Sequence, residues 1–357
     1  MKRITRPTLL INEEKCLQNI HAIATKAKSA NCTLRPHFKT HHSSQIANWY
    51  RQFGVEKCTV SSVEMATYFA DHGWNDITIA FPFNPLEHRM INDLAKRVQL
   101  NILLESLEAM EAAQQLLKQK VGFFIKLDMG MHRTGLAPTN LKLIADLIAA
   151  SNERIEYQGF VAHLGHTYGA RGAGEIMQLA KVGLPILESL RDRFGGIISY
   201  GDTPSCSCMN DFNQLDEIRA GNYIFYDIMQ SQIGSCSVEN IAVCMACPVV
   251  AKHEERDELV IHGGAVHFSK DSISVDGTTN FGRVVRLGNA GWDTESIGSV
   301  VRLSQEHGII NASKEVMKTL KIGDLVGVLP VHSCLTADLQ GHYMTTSGQR
   351  IEKMQKG

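Results

Sequence analysis

Apolar runs alternate with amphipathic stretches through the first two thirds of the chain. The runs at 34–40, 58–62, 77–81, 100–105, 123–129, 157–164, 197–202 and 217–225 are short and bounded by polar turns, which predicts strands. Between them apolar positions recur at three-to-four spacing. Ile46, Ala47 and Tyr50 share one face of 44–53, and Met65, Ala66 and Phe69 share one face of 63–72. Segments 107–118 and 141–150 repeat that pattern, and Pro85 and Pro138 stand near helix starts, where a missing N–H costs little. Eight strands alternating with helices is the count of an α/β fold of the (β/α)8 TIM-barrel type. An open doubly wound sheet fits the same periodicity, but it usually carries a glycine-rich loop after its first strand. Here that strand ends in Arg35-Pro36-His37-Phe38-Lys39-Thr40-His41, which tilts the choice to a barrel.

The rhythm changes after about Asp227. Short strand-like runs at 241–251, 258–262, 272–275, 298–303 and 325–331 are punctuated by Gly263-Gly264, Asp276-Gly277, Gly282 and Gly323-Asp324. Helical spacing nearly disappears. The expectation is a barrel domain over residues 13–232 and a second, mostly β, C-terminal domain over 233–357. The strand-like end of segment 1–12, ahead of a helix at 13–30, is expected to pair with the β domain.

Composition narrows the function. The 357 residues give room for one large and one smaller domain, and 44% hydrophobic with 20% charged residues is ordinary for a folded protein. Thirty-six Lys+Arg against 37 Asp+Glu leaves a net charge of -1, so no basic excess marks a nucleic-acid or anionic-membrane surface. No apolar stretch approaches the ~18 residues of a membrane span. The positive start at Met1–Pro7 has no apolar core behind it, so no ordinary secretory signal is expected. Nine scattered cysteines, an odd number, read as reduced thiols in a cytoplasmic enzyme.

Barrel enzymes work at the C-terminal ends of their strands, where Lys39 falls. In an extended strand Arg35, His37 and Lys39 share a face. A lysine among cations and shielded from water loses its proton more readily and becomes an amine nucleophile toward a carbonyl. For a lone lysine, ordinary solvation is the competing reading. The heptad resembles the R-P-H-x-K-T motif of the D-serine dehydratase and D-threonine aldolase family, pyridoxal-phosphate (PLP) enzymes of the alanine-racemase barrel type. The resemblance implies that Lys39 carries the cofactor. Asp128-Met129-Gly130-Met131-His132-Arg133-Thr134-Gly135 is similar to the family's D-x-G-x-x-R-x-G. That implies Arg133 beside the cofactor's phenolic oxygen or the lysine, with a salt bridge to Asp128 as the alternative. His163-Leu164-Gly165-His166-Thr167-Tyr168 resembles the segment that sets a histidine against the pyridine ring and a tyrosine near its nitrogen. These map to His163 and Tyr168, and His166 can exchange roles with His163. Gly201-Asp202-Thr203-Pro204-Ser205 and Arg219-Ala220-Gly221-Asn222-Tyr223 resemble the family's two phosphate turns, with Ala220 in place of the usual proline. They imply Thr203, Gly221, Asn222 and Tyr223 around the phosphate, with Asp202 turned away.

The second domain carries His332-Ser333-Cys334. In an extended segment residues two apart face the same way, so both side chains can reach one ion, and imidazole with thiolate suits Zn²⁺. His-x-Cys in this place resembles the dehydratase branch, whereas His-x-Asp would lean to the aldolase branch. The segment 303–308 also resembles a family segment, so Glu306 or His307 can line the site. Cys244 and Cys247, three apart in a strand, face opposite sides and read as buried thiols. The resemblance implies a PLP- and zinc-dependent lyase acting on a small β-hydroxy D-amino acid, with D-serine to pyruvate and ammonia in first place. Retro-aldol cleavage to glycine and an aldehyde is the alternative. A racemase would need a second base opposite Lys39, and Tyr343 is the only tyrosine after Tyr226. Related barrels pair, which implies a homodimer.

Overall fold

The structure, a computed structural model, describes residues 4–288 and 290–355. It divides into two compact units, one of residues 21–39 and 47–221, the other of residues up to 20, 40–46 and 222 onward.

The first unit is a parallel eight-stranded sheet. Its strands are β1 (Thr33–Leu34), β2 (Lys57–Val60), β3 (Asp76–Pro82), β4 (Gln99–Leu104), β5 (Val121–Asp128), β6 (Ile155–His163), β7 (Ile197–Tyr200) and β8 (Glu217–Ile218). They run in the order β1-β8-β7-β6-β5-β4-β3-β2. A bridge between His37 and Thr59, with the Thr59 N–H on the Pro36 carbonyl at 2.9 Å, brings the two ends together. The fold is therefore a nearly closed (β/α)8 barrel. Strands β2 to β7 fall on the apolar runs of the sequence. The first and last runs behave differently, for β1 and β8 keep two residues each and Phe38–Thr40 forms a single 3-10 turn. Pro36 has no N–H to give the ladder, and the chain leaves the sheet soon after it.

The helices start where polar caps stand. Ser62, Ser106 and Asn140 accept the N–H of Met65, Ala109 and Leu143 at 3.1, 3.1 and 3.3 Å. A 22-residue helix, Ala173–Phe194, which the apolar spacing did not single out, stops at Gly195 with φ 70°. Leu103, Phe124 and Val161 form an apolar cluster, and Phe38 packs on Tyr50, Phe69 and Trp74. The barrel also buries a polar chain. Arg35 pairs with Asp76 and Glu217, each at 2.6 Å; Ser199 donates to Glu217 at 2.6 Å; Arg219 Nε donates to Ser199 at 2.8 Å.

The second unit is mostly β. Its nine-stranded sheet runs Glu258–His262, His307–Asn311, Gly291–Leu303, Gly282–Gly288, Leu325–Pro330, Val243–His253, Thr8–Ile11, His342–Thr345 and Arg350–Glu352. Val243–His253 also pairs with Glu258–His262, so six of these strands close into a small antiparallel barrel. Thr8–Ile11 pairs antiparallel with Val243–Ala246 and parallel with His342–Thr345. Cys244 and Cys247 are both fully buried. Two six-residue helices, Lys314–Thr319 and Ser333–Asp338, are too short to print a helical period on the sequence. Among the described residues no helix is long and apolar enough to cross a membrane.

Candidate active site

The residues singled out for chemistry fall into two groups, one in each unit. In the barrel unit, Lys39 sits in the 3-10 turn that follows β1, so the shared strand face with Arg35 and His37 does not form. Arg35 is buried and neutralised by Asp76 and Glu217, while Lys39 itself is exposed. The expected setting of a shielded lysine among cations is thus corrected. Extended pairing stops near Pro36, and Arg35 belongs to the barrel's internal polar chain. The cations that do gather near Lys39 come from other strands. His163, at the end of β6, feels the charges of Lys39, Arg219 and Lys126. Burial first, and the Lys39 charge next, push the His163 imidazole down to about 3. The ring is neutral at physiological pH, and its Nδ1–H donates to the Gly201 carbonyl. His166, its rival in the sequence, has a buried Nδ1 without a hydrogen-bond partner and lies against Gly130.

Tyr168 stands 6.2 Å from His163 between ring centroids, and its hydroxyl accepts the Thr203 N–H at 3.4 Å. Asp202 turns onto its own turn. It accepts Ser205 N–H at 2.7 Å and the Thr167 hydroxyl at 3.0 Å, capping the short helix Thr203–Cys208. Burial raises its pKa, opposed by those hydrogen bonds. Gly201 is packed so closely on Arg219 that a Cβ there would meet it at 3.1 Å. The two turns assigned to phosphate, Gly201–Thr203 and Arg219–Gly221, therefore abut. A lysine, a neutral histidine and two abutting turns at strand ends fit PLP.

Arg133 is exposed, in the loop after β5. The salt bridge offered for it goes elsewhere. Asp128 accepts the N–H groups of Gly130, Met131 and His132 at 3.0, 2.9 and 3.0 Å, and its other oxygen lies 3.2 Å from His132 Nδ1. The loop folds tightly around that carboxylate, which brings His132 onto it. The charge of Arg133 instead acts on Lys126, a residue the sequence reading missed. Lys126 is buried on β5 and donates to the Leu127 carbonyl at 2.5 Å. Its signal was a single lysine inside the apolar run of β5.

In the β unit, His332 and Cys334 do not lie in an extended segment. His332 is the extended N-cap residue (φ -131°) of helix Ser333–Asp338, and Cys334 is in the first turn. The two side chains nonetheless act on each other, Cys334 raising the His332 pKa. His332 Nδ1 lies 2.7 Å from Asp271 Oδ2. The Cys334 sulfur is 3.3 Å from the Thr40 hydroxyl and 3.4 Å from Asn222 Nδ2. Asn222, assigned to the phosphate, thus directs its amide to Cys334, Ser333 Oγ at 3.1 Å and Asp227 at 2.8 Å. Tyr223 is fully buried beside it in the sequence. Burial opposes a charged His332, but Cys334, Asp227 and Asp271 outweigh it and push its pKa up to about 10. An imidazole nitrogen beside a thiol sulfur makes a nitrogen–sulfur donor pair of the kind Zn²⁺ takes, so the residues fit Zn²⁺.

Glu306 and His307 do not join that pair. Glu306 lies 3.8 Å from His262 and 3.9 Å from His267, and the ligand atoms of these three fall within 4.8 Å of one another. The Gly264 N–H donates to His267 Nδ1 at 3.2 Å, which leaves the proton of the neutral ring on Nε2, facing Glu306. At 3.8 and 3.9 Å the contacts of Glu306 are charge-range contacts rather than hydrogen bonds. Tyr343 is fully buried, and its hydroxyl donates to the His41 carbonyl at 2.7 Å.

The family model "Alanine racemase, N-terminal domain" matches residues 11–228. The chain belongs to that family. A serine dehydratase domain model matches residues 242–346. Among curated relatives, the D-serine dehydratase of Dictyostelium discoideum is 26% identical, over 96% of this chain and 93% of its own length. A D-threonine aldolase of Arthrobacter sp is 23% identical over 64% of this chain and 62% of its own. The solved D-threo-3-hydroxyaspartate dehydratase from Delftia sp. HT23 superposes with a TM-score of 0.91 at 22% identity, covering 99% of both chains. A mutant of that enzyme has been solved in a metal-free form. The solved enzyme and this chain share the fold of barrel plus mostly β domain.

Proposed function

We propose that this chain is a PLP- and zinc-dependent lyase acting on β-hydroxy D-amino acids, and that it dehydrates D-serine to pyruvate and ammonia. The observation that carries the reading is the His332–Cys334 pair, an imidazole and a thiol held together with outer partners on both. The likeness to dehydratases along nearly the whole chain supports it.

Lys39 would hold the cofactor aldehyde through its amine and would serve as the base for the substrate's α-proton. Bound PLP supplies a ring that accepts the electrons left at the α-carbon. His163, neutral and fixed by Gly201, would flank that ring, and Tyr168 would lie toward its nitrogen. Thr203, Gly221, Asn222 and Tyr223 would hold the phosphate end, Asn222 without its side-chain amide, which is taken by Asp227, Ser333 and Cys334, and Arg133 would steady the phenolic oxygen. His332 and Cys334 would hold Zn²⁺, which would supply a Lewis acid that makes the β-hydroxyl a better leaving group. Elimination of water and hydrolysis of the resulting enamine give the keto acid and ammonia. The working unit is a homodimer in the cytoplasm, in keeping with related barrels and reduced cysteines.

The test is incubation of the purified enzyme with D-serine and with D-threonine, with and without a chelator. Keto acid and ammonia are expected from D-serine, lost on chelation and restored by zinc. Glycine and acetaldehyde from D-threonine, with no keto acid from either, would replace dehydration by retro-aldol cleavage. Racemisation alone would overturn both.

A further inference from the structure

We propose that Asp271 is the positioning residue of the metal centre, its carboxylate holding the Nδ1 proton of His332 so that Nε2 is left as the ligand nitrogen beside Cys334. This rests on the reading of His332 and Cys334 as metal ligands.

The geometry is built from two sides. A carboxylate oxygen 2.7 Å from His332 Nδ1 can only accept, so it selects the tautomer with a bare Nε2. Asp271 reaches that position because the turn after helix Ala265–Phe268 is bolted to the helix that carries Cys334. Thr336 Oγ donates to the Phe268 carbonyl at 3.1 Å, and Gln340 Nε2 donates to the His267 carbonyl at 3.1 Å. Ser269, with φ 70°, then bends the chain, and its hydroxyl accepts the Asp271 N–H at 3.1 Å. From the other side Asp227 accepts the Ser333 N–H at 3.0 Å, and the Met229 N–H bonds the Val331 carbonyl at 3.2 Å. The first turn of the helix is thereby fixed, and Asp271 sets the remaining freedom, the rotation of the imidazole. A ligand histidine oriented by a carboxylate binds metal roughly 10- to 100-fold more tightly than one without it.

The experiment is a cobalt(II) titration of the metal-stripped full-length protein, read by the thiolate-to-cobalt charge-transfer absorbance. Wild type is expected to develop the band and Cys334→Ala to lack it. Asp271→Ala should need roughly 10- to 100-fold more cobalt for half the band. Asp271→Asn keeps the shape and fold, lacks the charge, and should lose less in the same direction. Wild-type affinity in both Asp271 variants would overturn the assignment while leaving the metal reading intact. A wild-type protein with no Cys334-dependent band would remove the metal reading, and the assignment with it.

Discussion

Lys126 gives the sharpest physical prediction. Its ammonium is buried on β5, where burial first, and then the charges of Arg219 and Arg133, lower its pKa from 10.5 to about 8. Asp128 and Glu105 offset only part of this. The difference of 10.5 − 8, about 2.5 pKa units at 1.36 kcal/mol each, is about 3 kcal/mol of cost to the folded state while the group is charged. The sign follows from proton counting. Between pH 8 and 10.5 the unfolded chain binds the proton more tightly than the folded one, so stability rises with pH through that window. Below it the cost is fully present, and above it the cost is gone. Lys126→Met keeps most of the volume, loses the hydrogen bond to Leu127 and removes the charge. It should therefore be more stable than wild type at pH 7 by about 2 kcal/mol, the about 3 kcal/mol of linkage less about 1 for the lost bond. Urea unfolding of both proteins at pH 7 and pH 10.5 measures this, because the difference cancels the tyrosines and thiols they share. A variant no more stable than wild type at pH 7, or an advantage that does not shrink by pH 10.5, would refute the reasoning.

Other outcomes follow from the same geometry. Lys39→Ala should lose the visible absorbance of the lysine-bound cofactor, checked by spectrophotometry after reconstitution with PLP. Cys334→Ala should keep that absorbance and lose both zinc and lyase activity; a fully active variant would contradict the metal's role. Glu217→Ala removes the partner of Arg35 Nε and of Ser199 but leaves Asp76 on the same guanidinium, and should cost roughly 1–3 kcal/mol in urea unfolding for the lost charge-assisted hydrogen bonds. His163, pushed down to about 3, should show no change in its ring Cε1–H chemical shift from pH 5 to 8; a titration there would mean that the ring is far better solvated.

Local signals carried the sequence a long way. Strands β2 to β7 were legible because apolar residues there are concentrated in short runs. Helix starts at Ser62, Ser106 and Asn140 match the chemistry of residues that accept the next turn's N–H groups. The spacing argument for His332 and Cys334 assumed an extended segment that does not form, for His332 caps a helix that carries Cys334. Two residues on one side of a strand and an N-cap with its first turn both bring neighbouring side chains together.

What the sequence by itself determined, then, was the order of elements and the kinds of reactive side chain. Tertiary structure alone decided their surroundings. Asp271 lies 61 residues from His332, and Glu217 lies 182 from Arg35. No local period encodes such meetings, which exist only once a sheet has closed and set one strand's register against another. The same closure buried Lys126 among cations and withdrew Arg35 from the lysine it was expected to influence. Patterning along a chain reflects the average burial of each position, whereas charge pairing depends on which distant group arrives beside it.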